Sequence, residues 1–181
     1  MRYCVFLGSS PGLLPAYRDA AVALSRALTS RNIGIVYGGN SLGLMGALSD
    51  TALALDADIA GVIPRSIAEA AAAQTKLKEL HLVDTMHERK ALMARLSDAF
   101  IVLPGGLGTL EEFFEIWTWA KLGFHAKPVG VLNVAGYFDR LFDFLGFVEQ
   151  QGFMARPDRD LIFLSDSIEE LIDKVSERLA A

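Results

Sequence analysis

Seven short apolar runs, separated by longer segments with helical spacing, constrain the fold of this chain most strongly. Most runs are continuously apolar rather than alternating, which is typical of strands that helices cover on both faces. Between two of them, residues 16–29 place Ala20, Leu24 and Leu28 on one helical stripe. This alternation predicts an α/β fold of three layers, with a mostly parallel central sheet flanked by helices. The predicted strands are residues 3–7, 34–37, 59–63, 80–83, 100–103, 129–132 and 161–164.

Length and charge narrow the class of protein further. With 181 residues the chain is expected to form one domain, residues 1–181. Its net charge of -5 and pI of about 5.2 argue against a nucleic-acid partner, which normally needs a basic surface. A small anionic substrate stays compatible with an acidic protein, because a local site can still be positive.

The single cysteine and the N-terminal run bear on the compartment. Cys4 lies inside an apolar run, so we expect a buried thiol and no disulfide, as in a reducing cytoplasm. Residues 3–7 are too short for the core of a signal peptide. No apolar stretch reaches the roughly 20 residues of a membrane span, so we expect a cytoplasmic protein without a membrane partner.

Three glycine-rich turns follow predicted strands, where ligands bind in open α/β sheets. They are residues 8–12, which include Ser10; residues 38–46, which include Gly39; and residues 104–109, Pro-Gly-Gly-Leu-Gly-Thr. A helix that begins at such a turn presents free N–H groups and a positive dipole end to a phosphate. None of the turns fits Gly-x-Gly-x-x-Gly or a Walker loop. They predict a phosphate site of neither common kind.

Glu112 follows the third turn and has two interpretations. Thr109 is a good helix N-cap and Glu112 lies three residues later, which is the spacing of a capping box. Helical side chains also tilt toward the N-terminus, so Glu112 would point at a phosphate bound there. By spacing alone, Glu111 and Glu115 favour solvated or cap-supporting roles.

A second polar segment, Met86 to Lys90, also follows a strand and begins a helix. Arg89 and Lys90 near a helix start oppose the dipole, so we expect a partner, either a local carboxylate such as Glu88 or a bound anion. An arginine fork suits a phosphate or ribose-phosphate oxygen. His87 and Glu88 do not form a zinc motif because Ala91 occupies the position of the second histidine, and no metal site is predicted.

Together these segments resemble the LOG ("lonely guy") family of cytokinin riboside 5'-monophosphate phosphoribohydrolases, which has also carried the label lysine decarboxylase. The resemblance extends from Tyr3 to about Phe153. It rests on three segments of the chain and two shorter ones near Trp117 and Lys127. The three segments are Tyr-Gly-Gly with Gly-Leu-Met-Gly in residues 37–46, Met-His-Glu-Arg-Lys in residues 86–90, and Pro-Gly-Gly-Leu-Gly-Thr-Leu-Glu-Glu in residues 104–112.

The resemblance implies a Rossmann-like fold, a homodimer and no cofactor. It implies cleavage of the N-glycosidic bond of an N6-substituted adenosine 5'-monophosphate, with free base and ribose 5-phosphate as products. Arg89 and Glu112 would be catalytic, with Glu112 stabilising an oxocarbenium-like transition state as nucleophile or as base. The implied substrate- and phosphate-binding residues are Gly105, Gly106, Gly108, Thr109, Glu111, Lys90, Met86, Gly39 and Ser10.

One departure from the family concerns the base. Family members usually carry a substrate-contacting glutamate at the position that corresponds to Ala71, and the nearest carboxylate here is Glu69. This leaves the preferred base open. A general AMP or purine-nucleotide nucleosidase is one alternative, and a non-catalytic nucleotide or cofactor carrier is another, although a carrier would not need the Arg89 and Glu112 pair. Lysine decarboxylase is disfavoured because no segment marks a pyridoxal-phosphate lysine.

Overall fold

A computed structural model of the protein describes residues 1–68 and 73–180. Within them, seven strands form one sheet. The strands are β1 (Arg2–Phe6), β2 (Gly34–Tyr37), β3 (Ile59–Pro64), β4 (Glu79–Val83), β5 (Ala99–Val102), β6 (Val129–Leu132) and β7 (Ile162–Ser165). Their order in the sheet is β4-β3-β2-β1-β5-β6-β7, and every neighbouring pair is parallel. The predicted α/β fold is confirmed, and its predicted mostly parallel sheet is parallel at every strand pair.

Helices connect the strands and cover both faces. They are α1 (Pro15–Ser30), α2 (Gly43–Ala54), the short α3 (Arg65–Ile67), α4 (Met86–Arg95), α5 (Leu107–Lys121), α6 (Asp139–Gln150), the short α7 (Arg156–Arg159) and α8 (Ile168–Ala180). A 3₁₀ turn, Val134–Gly136, precedes α6. In this described part of the chain, no helix is both long and apolar enough to cross a bilayer.

Two apolar cores lie on opposite faces of the sheet because successive side chains of a strand point in opposite directions. In β1, Tyr3 and Val5 pack into the core beneath α1, α2 and α8. Cys4 and Phe6 pack into the other core, beneath α4, α5 and α6. Cys4 is a free, fully buried thiol, as the sequence predicts.

The order of the strands places a ligand crevice at the centre of the sheet. From β1 the chain builds outward to β4, then returns to β5 on the other side of β1 and builds outward to β7. Ligands of such sheets bind beyond the carboxyl ends of the strands at this reversal. The loops that follow β1 and β5 meet there, since the Gly8 N–H donates to the Pro104 carbonyl at 3.1 Å.

Candidate active site

The N-terminus of α5 opens onto this crevice with unused hydrogen-bond donors. The helix begins at Leu107, and its N-cap is Gly106, which has no side chain to cap the first turn. Among the described residues, the N–H groups of Leu107, Gly108 and Thr109 have no hydrogen-bond partner, and the first bond of the helix runs from Leu110 N–H to the Gly106 carbonyl. Such a terminus attracts an anion through its free N–H groups and its dipole.

The predicted capping box at Thr109 is wrong. Because Gly106 caps α5, Thr109 lies in the first turn of the helix rather than before it, and Glu112 lies a full turn further on. The Thr109 side chain instead packs on Gly105, where an added Cβ atom would come within 2.1 Å of Thr109 Oγ1. A glycine is therefore required at position 105, and the Glu112 carboxylate is not engaged in capping.

Helix α4 supplies the cation that pairs with Glu112. Thr85 caps this helix by accepting from the Glu88 N–H at 3.1 Å. The Glu88 carboxylate accepts from the Asp84 N–H at 2.9 Å, so Glu88 is not the partner of Arg89 that local spacing suggests. Arg89 instead donates from Nε to the Val62 carbonyl at 3.0 Å and from Nη1 to Glu112 Oε1 at 2.6 Å.

The Arg89–Glu112 ion pair is buried, with side-chain exposures of 8% and 3%. Burial raises the pKa of the Glu112 carboxyl above its usual value, although the charge of Arg89 opposes this shift. The Arg89 guanidinium can take this position beside Glu112 because position 38 is a glycine. A Cβ there would lie 2.0 Å from Arg89 Nη2. Gly38 is therefore a residue of the site that the sequence pattern did not single out from its neighbours.

The start of α5 and the Arg89–Glu112 pair line one cavity of about 470 Å3, a volume within the usual range of small-molecule sites. Of the residues singled out from the sequence, the structure brings seven to its wall: Arg89, Glu112, Gly105, Gly106, Gly108, Thr109 and Ser10. The rest of the wall is mainly apolar or aromatic and includes Leu44, Met45, Ile63, Ile67, Tyr17 and Tyr137. The cavity thus joins a cationic and anion-attracting end to an apolar surface.

Four other predicted residues lie outside this wall. Lys90 donates to Glu115 Oε1 at 3.0 Å and also to Glu111, so it is occupied by two carboxylates of α5. Met86 is 41% exposed, and Gly39 uses its carbonyl to accept from the Gln74 N–H. Both Glu111 and Glu115 pair with Lys90. Glu111 is also solvated, as predicted, since 53% of its side chain is exposed, whereas Glu115 is 22% exposed and the solvated interpretation is wrong for it.

The three glycine turns differ in what they offer a ligand. The turn in residues 8–12 lines the cavity, but α1 begins only at Pro15. At the start of α2, the N–H groups of Leu44 and Met45 both donate to the Gly8 carbonyl. Among the described residues, the third turn is therefore the one that leads directly into a helix whose first N–H groups have no protein partner.

Ala71 and Glu69, which bear on the base preference, lie outside the described residues. No group of three or more His, Cys, Asp or Glu side chains in the described ranges is arranged to hold a metal ion. Tyr17 and Tyr137 also line the cavity, and the sequence pattern does not predict them because neither belongs to a glycine-rich turn. The loop after β6 also lies at the carboxyl edge of the sheet, and that position alone was the signal for Tyr137.

Solved structures with similar folds place the chain in the Rossmann-like class. The molybdenum cofactor carrier protein of Chlamydomonas reinhardtii aligns with a TM-score of 0.75 and 19% identity, covering 99% of this chain and 98% of that chain. The molybdenum cofactor binding protein of Rippkaea orientalis aligns with a TM-score of 0.73 and 18% identity, covering 97% and 95%. At these identities the likeness concerns the fold.

Sequence similarity is more specific. A family model described as "Possible lysine decarboxylase" matches residues 45–175. The probable cytokinin riboside 5'-monophosphate phosphoribohydrolase LOGL3 of Oryza sativa subsp. japonica is 47% identical over 97% of this chain and 83% of its own length. The phosphoribohydrolase LOG1 of Arabidopsis thaliana is 46% identical over the same shares. The chain belongs to this LOG family of phosphoribohydrolases, hydrolases of N-glycosyl bonds, and the resemblance inferred from its motifs is confirmed.

Proposed function

We propose that this protein hydrolyses the N-glycosidic bond of cytokinin riboside 5'-monophosphates, releasing the free base and ribose 5-phosphate. The observation that carries the proposal is the placement of a buried Arg89–Glu112 pair and the unpartnered N-terminus of α5 on one cavity. A nucleotide carries a phosphate for the helix end and a glycosidic carbon for the carboxylate. The family's phosphoribohydrolase activity supports the same reaction.

The chemistry follows from where charge develops. Departure of the base leaves positive charge on the ribose, and a carboxylate beside the anomeric carbon stabilises that transition state. Glu112 is the acidic residue that lines the cavity among the described residues. Arg89 holds the Glu112 carboxylate in one orientation through the 2.6 Å bond, while its own position is fixed by the Val62 carbonyl. A fixed group lowers the entropy lost in reaching the transition state.

The phosphate would bind at the start of α5, to the backbone of Gly106, Gly108 and Thr109. An added Cβ at Gly106 or Gly108 would meet no atom within 4 Å, so both glycines have open space beside them, and both line the cavity through which a phosphate can approach the backbone. Gly105 supports the turn and Ser10 contributes from the opposite loop. Four residues outside the cavity wall remain predicted contributors to substrate binding: Met86, Lys90, Glu111 and Gly39.

A homodimer is part of the proposal. Leu107, in the first turn of α5, is 87% exposed, and Phe114 on the same helix is also exposed. Large exposed apolar side chains beside a site favour a protein contact there. Static light scattering of the purified protein at several concentrations would measure the mass of the particle, and a monomer at all of them would contradict the dimer. A reducing cytoplasm suits the free thiol of Cys4.

The test of the reaction is direct. Purified protein is incubated with isopentenyladenosine 5'-monophosphate, with AMP and with unphosphorylated isopentenyladenosine, and free base and ribose 5-phosphate are separated by chromatography. We expect rapid release from the first and little from the nucleoside. Equal release from AMP would make the protein a general purine-nucleotide nucleosidase. Absence of release from all three, with tight nucleotide binding, would favour a carrier.

Lysine decarboxylation, the activity named by the matching family model, has no support in the cavity. Such chemistry needs a lysine amine to hold pyridoxal phosphate. None of the lysines in the described residues lines the cavity, and Lys90, one residue from Arg89, is bound to Glu111 and Glu115. Incubation with lysine and pyridoxal phosphate is expected to release no carbon dioxide.

A further inference from the structure

The loop between β6 and α6 adopts a costly backbone conformation beside the candidate phosphate site. Ala135 has φ 51° and ψ 34°, and Gly136 follows with φ 70°. A left-handed conformation is unfavourable for alanine because its Cβ crowds the following carbonyl. Two such residues in succession turn the chain sharply just before Tyr137. Strained backbone of this kind persists only where the surroundings hold it.

Asn133 holds this loop at its far end. Its Oδ1 accepts from the Phe138 N–H at 2.8 Å, and its Nδ2 donates to Asp139 Oδ1 at 2.6 Å. The Asn133 N–H also donates to the Ser165 carbonyl of β7 at 2.8 Å. These three bonds tie the loop to both α6 and the sheet. They therefore hold the backbone that carries Tyr137 in place.

Tyr137 then crosses to the loop after β5. Its hydroxyl donates to the Gly105 carbonyl at 2.6 Å, and its ring packs edge-on against Tyr17 with centroids 5.6 Å apart. Both tyrosine rings line the cavity. The contact is thus made by a side chain of one loop to the backbone of another, 32 residues earlier.

The target of this hydrogen bond is informative. The Gly105 carbonyl and the Gly106 N–H belong to one planar peptide group, which is trans, so fixing the direction of the carbonyl fixes the direction of the N–H. Gly106 is the N-cap of α5, and its N–H has no partner among the described residues. A hydrogen bond accepted by the carbonyl also polarises the peptide group and strengthens its N–H as a donor.

We propose that Tyr137 is a positioning residue for the phosphate site, which orients the Gly105–Gly106 peptide so that the Gly106 N–H binds the 5'-phosphate of the substrate. This inference rests on the proposed function, since it assigns the anion at α5 to a nucleotide phosphate. Tyr137 acts through the backbone and touches no reacting atom. Its hydroxyl should therefore matter for recognition of the phosphate and not for cleavage of the bond.

Tyr137→Phe removes the hydroxyl and keeps the ring against Tyr17. One hydrogen bond of this kind changes binding by about three- to tenfold. We expect KM for the nucleoside monophosphate, and the Kd for ribose 5-phosphate measured by calorimetry, to rise together by about that factor, while kcat stays within about twofold. The Kd for the unphosphorylated nucleoside should not change.

Tyr3→Phe is the matched control. Tyr3 also makes one hydroxyl hydrogen bond, with Ser176 Oγ at 2.8 Å, but it lies in the core between β1 and α8. Loss of that bond should affect thermal stability without moving either KM or the Kd for ribose 5-phosphate. Comparison of the two variants separates loss of a tyrosine hydrogen bond from loss of the bond to Gly105.

Several outcomes would overturn the inference. An unchanged Kd for ribose 5-phosphate in Tyr137→Phe would do so and would leave base release by the wild type as support for the proposed function. Equal weakening of nucleotide and nucleoside would show a general disturbance of the cavity. A wild type that binds no ribose 5-phosphate would also overturn it. Weakened ribose 5-phosphate binding in a protein that releases no base would instead support the inference and contradict the proposed function.

Discussion

Arg89 and Lys90 are neighbours on α4, and both reach carboxylates on α5, yet they form two different sites. Arg89 has one carboxylate partner, Glu112, and that pair is almost fully buried at the cavity wall. Lys90 is equally buried but is shared by Glu115, at 22% exposure, and Glu111, at 53%. Adjacent residues on a helix point about 100° apart, so one cation faces the crevice and the other the outer part of the helix pair.

The electrostatic consequences differ in direction. Burial raises the pKa of Glu112 against the opposing charge of Arg89, so this carboxylate is a stronger base than an ordinary glutamate. Burial on its own lowers the pKa of the Lys90 ammonium, but its hydrogen bonds to Glu111 and Glu115 outweigh burial and the pKa is raised. The Arg89–Glu112 pair thus contains a carboxylate of raised pKa, whereas Glu111 and Glu115 balance the charge of Lys90. The difference supports the proposal that Arg89 and Glu112 are catalytic, and Lys90 is proposed to act mainly on stability.

The largest expected effect on activity comes from removing the charge of Glu112. Glu112→Gln keeps an oxygen that accepts from Arg89 but removes the charge that stabilises the ribose cation. We expect kcat for base release to fall by about 10³-fold, within the usual range for loss of such a group. Glu115→Gln, the matched control on the same helix, should lose far less. Similar losses in the two variants would remove the distinction between the groups.

Arg89→Met should show itself in the pH profile as well as in rate. Activity that needs ionised Glu112 is lost as pH falls through its pKa, and this pKa is already raised by burial. Without Arg89 only the weaker effect of Lys90 opposes burial, so the acidic limb of the kcat profile should move to higher pH. At neutral pH we expect kcat to fall by about 10²-fold.

Lys90→Met serves as the comparison for that shift, because Lys90 lowers the pKa of Glu112 less than Arg89 does. An acidic limb that stays in place in Arg89→Met, or moves as far in Lys90→Met, would contradict the assignment of the two cations. The profiles are best recorded with saturating nucleotide, so that binding does not contribute to the limb.

Lys90→Met should act mainly on stability. The change leaves Glu111 and Glu115 near each other without their cation, and Glu115 Oε2 is already buried with no hydrogen-bond partner in the described part of the chain. We expect the free energy of unfolding in urea to fall by about 1–3 kcal/mol. Base release per folded molecule should fall far less than in Arg89→Met. A loss as large as that one would place Lys90 in substrate binding, as the family resemblance implies.

Glu111→Gln should have the smallest effect of the series. Its carboxylate is half exposed, and pairs of this kind contribute about 0–1 kcal/mol because water screens them. Equilibrium unfolding should therefore change by less than about 0.5 kcal/mol. A marked rise of KM in this variant would restore Glu111 as a substrate-binding residue despite its position outside the cavity wall.

The sequence predicts the sheet well because strands covered on both faces are marked by continuous apolar runs. The bounds 34–37 and 129–132 agree with β2 and β6, and the run at 100–103 is shifted by one residue from β5. Helix starts are less well predicted. The Thr109 spacing favours a cap, but the extended backbone of Gly106 begins α5 earlier, and a glycine cap leaves no side-chain signature.

The partners in the site are harder to predict because they depend on tertiary structure. Arg89 and Glu112 are 23 residues apart, and their motifs alone mark them as important without pairing them. The approach of Arg89 on α4 to Gly38 after β2, and the bond from Tyr137 after β6 to Gly105 after β5, join distant parts of the chain. Such contacts have no local pattern, so the resemblance to a family, and not spacing, carried the prediction of the catalytic pair.

The central position of β1 ties assembly of the cavity to the closure of a long chain segment. Tyr3 pairs with Ile35 of β2 on one side and with Ala99 of β5 on the other. The segment between β1 and β2 is therefore about a third as long as the segment between β1 and β5. Closing the longer loop costs more chain entropy and contributes to high contact order. The loops of β1 and β5 that build the cavity can meet only after that closure. A nascent chain that ends before Glu112 therefore has the first glycine turns but lacks the Arg89–Glu112 pair, and activity should appear late in refolding, after β5 has joined β1.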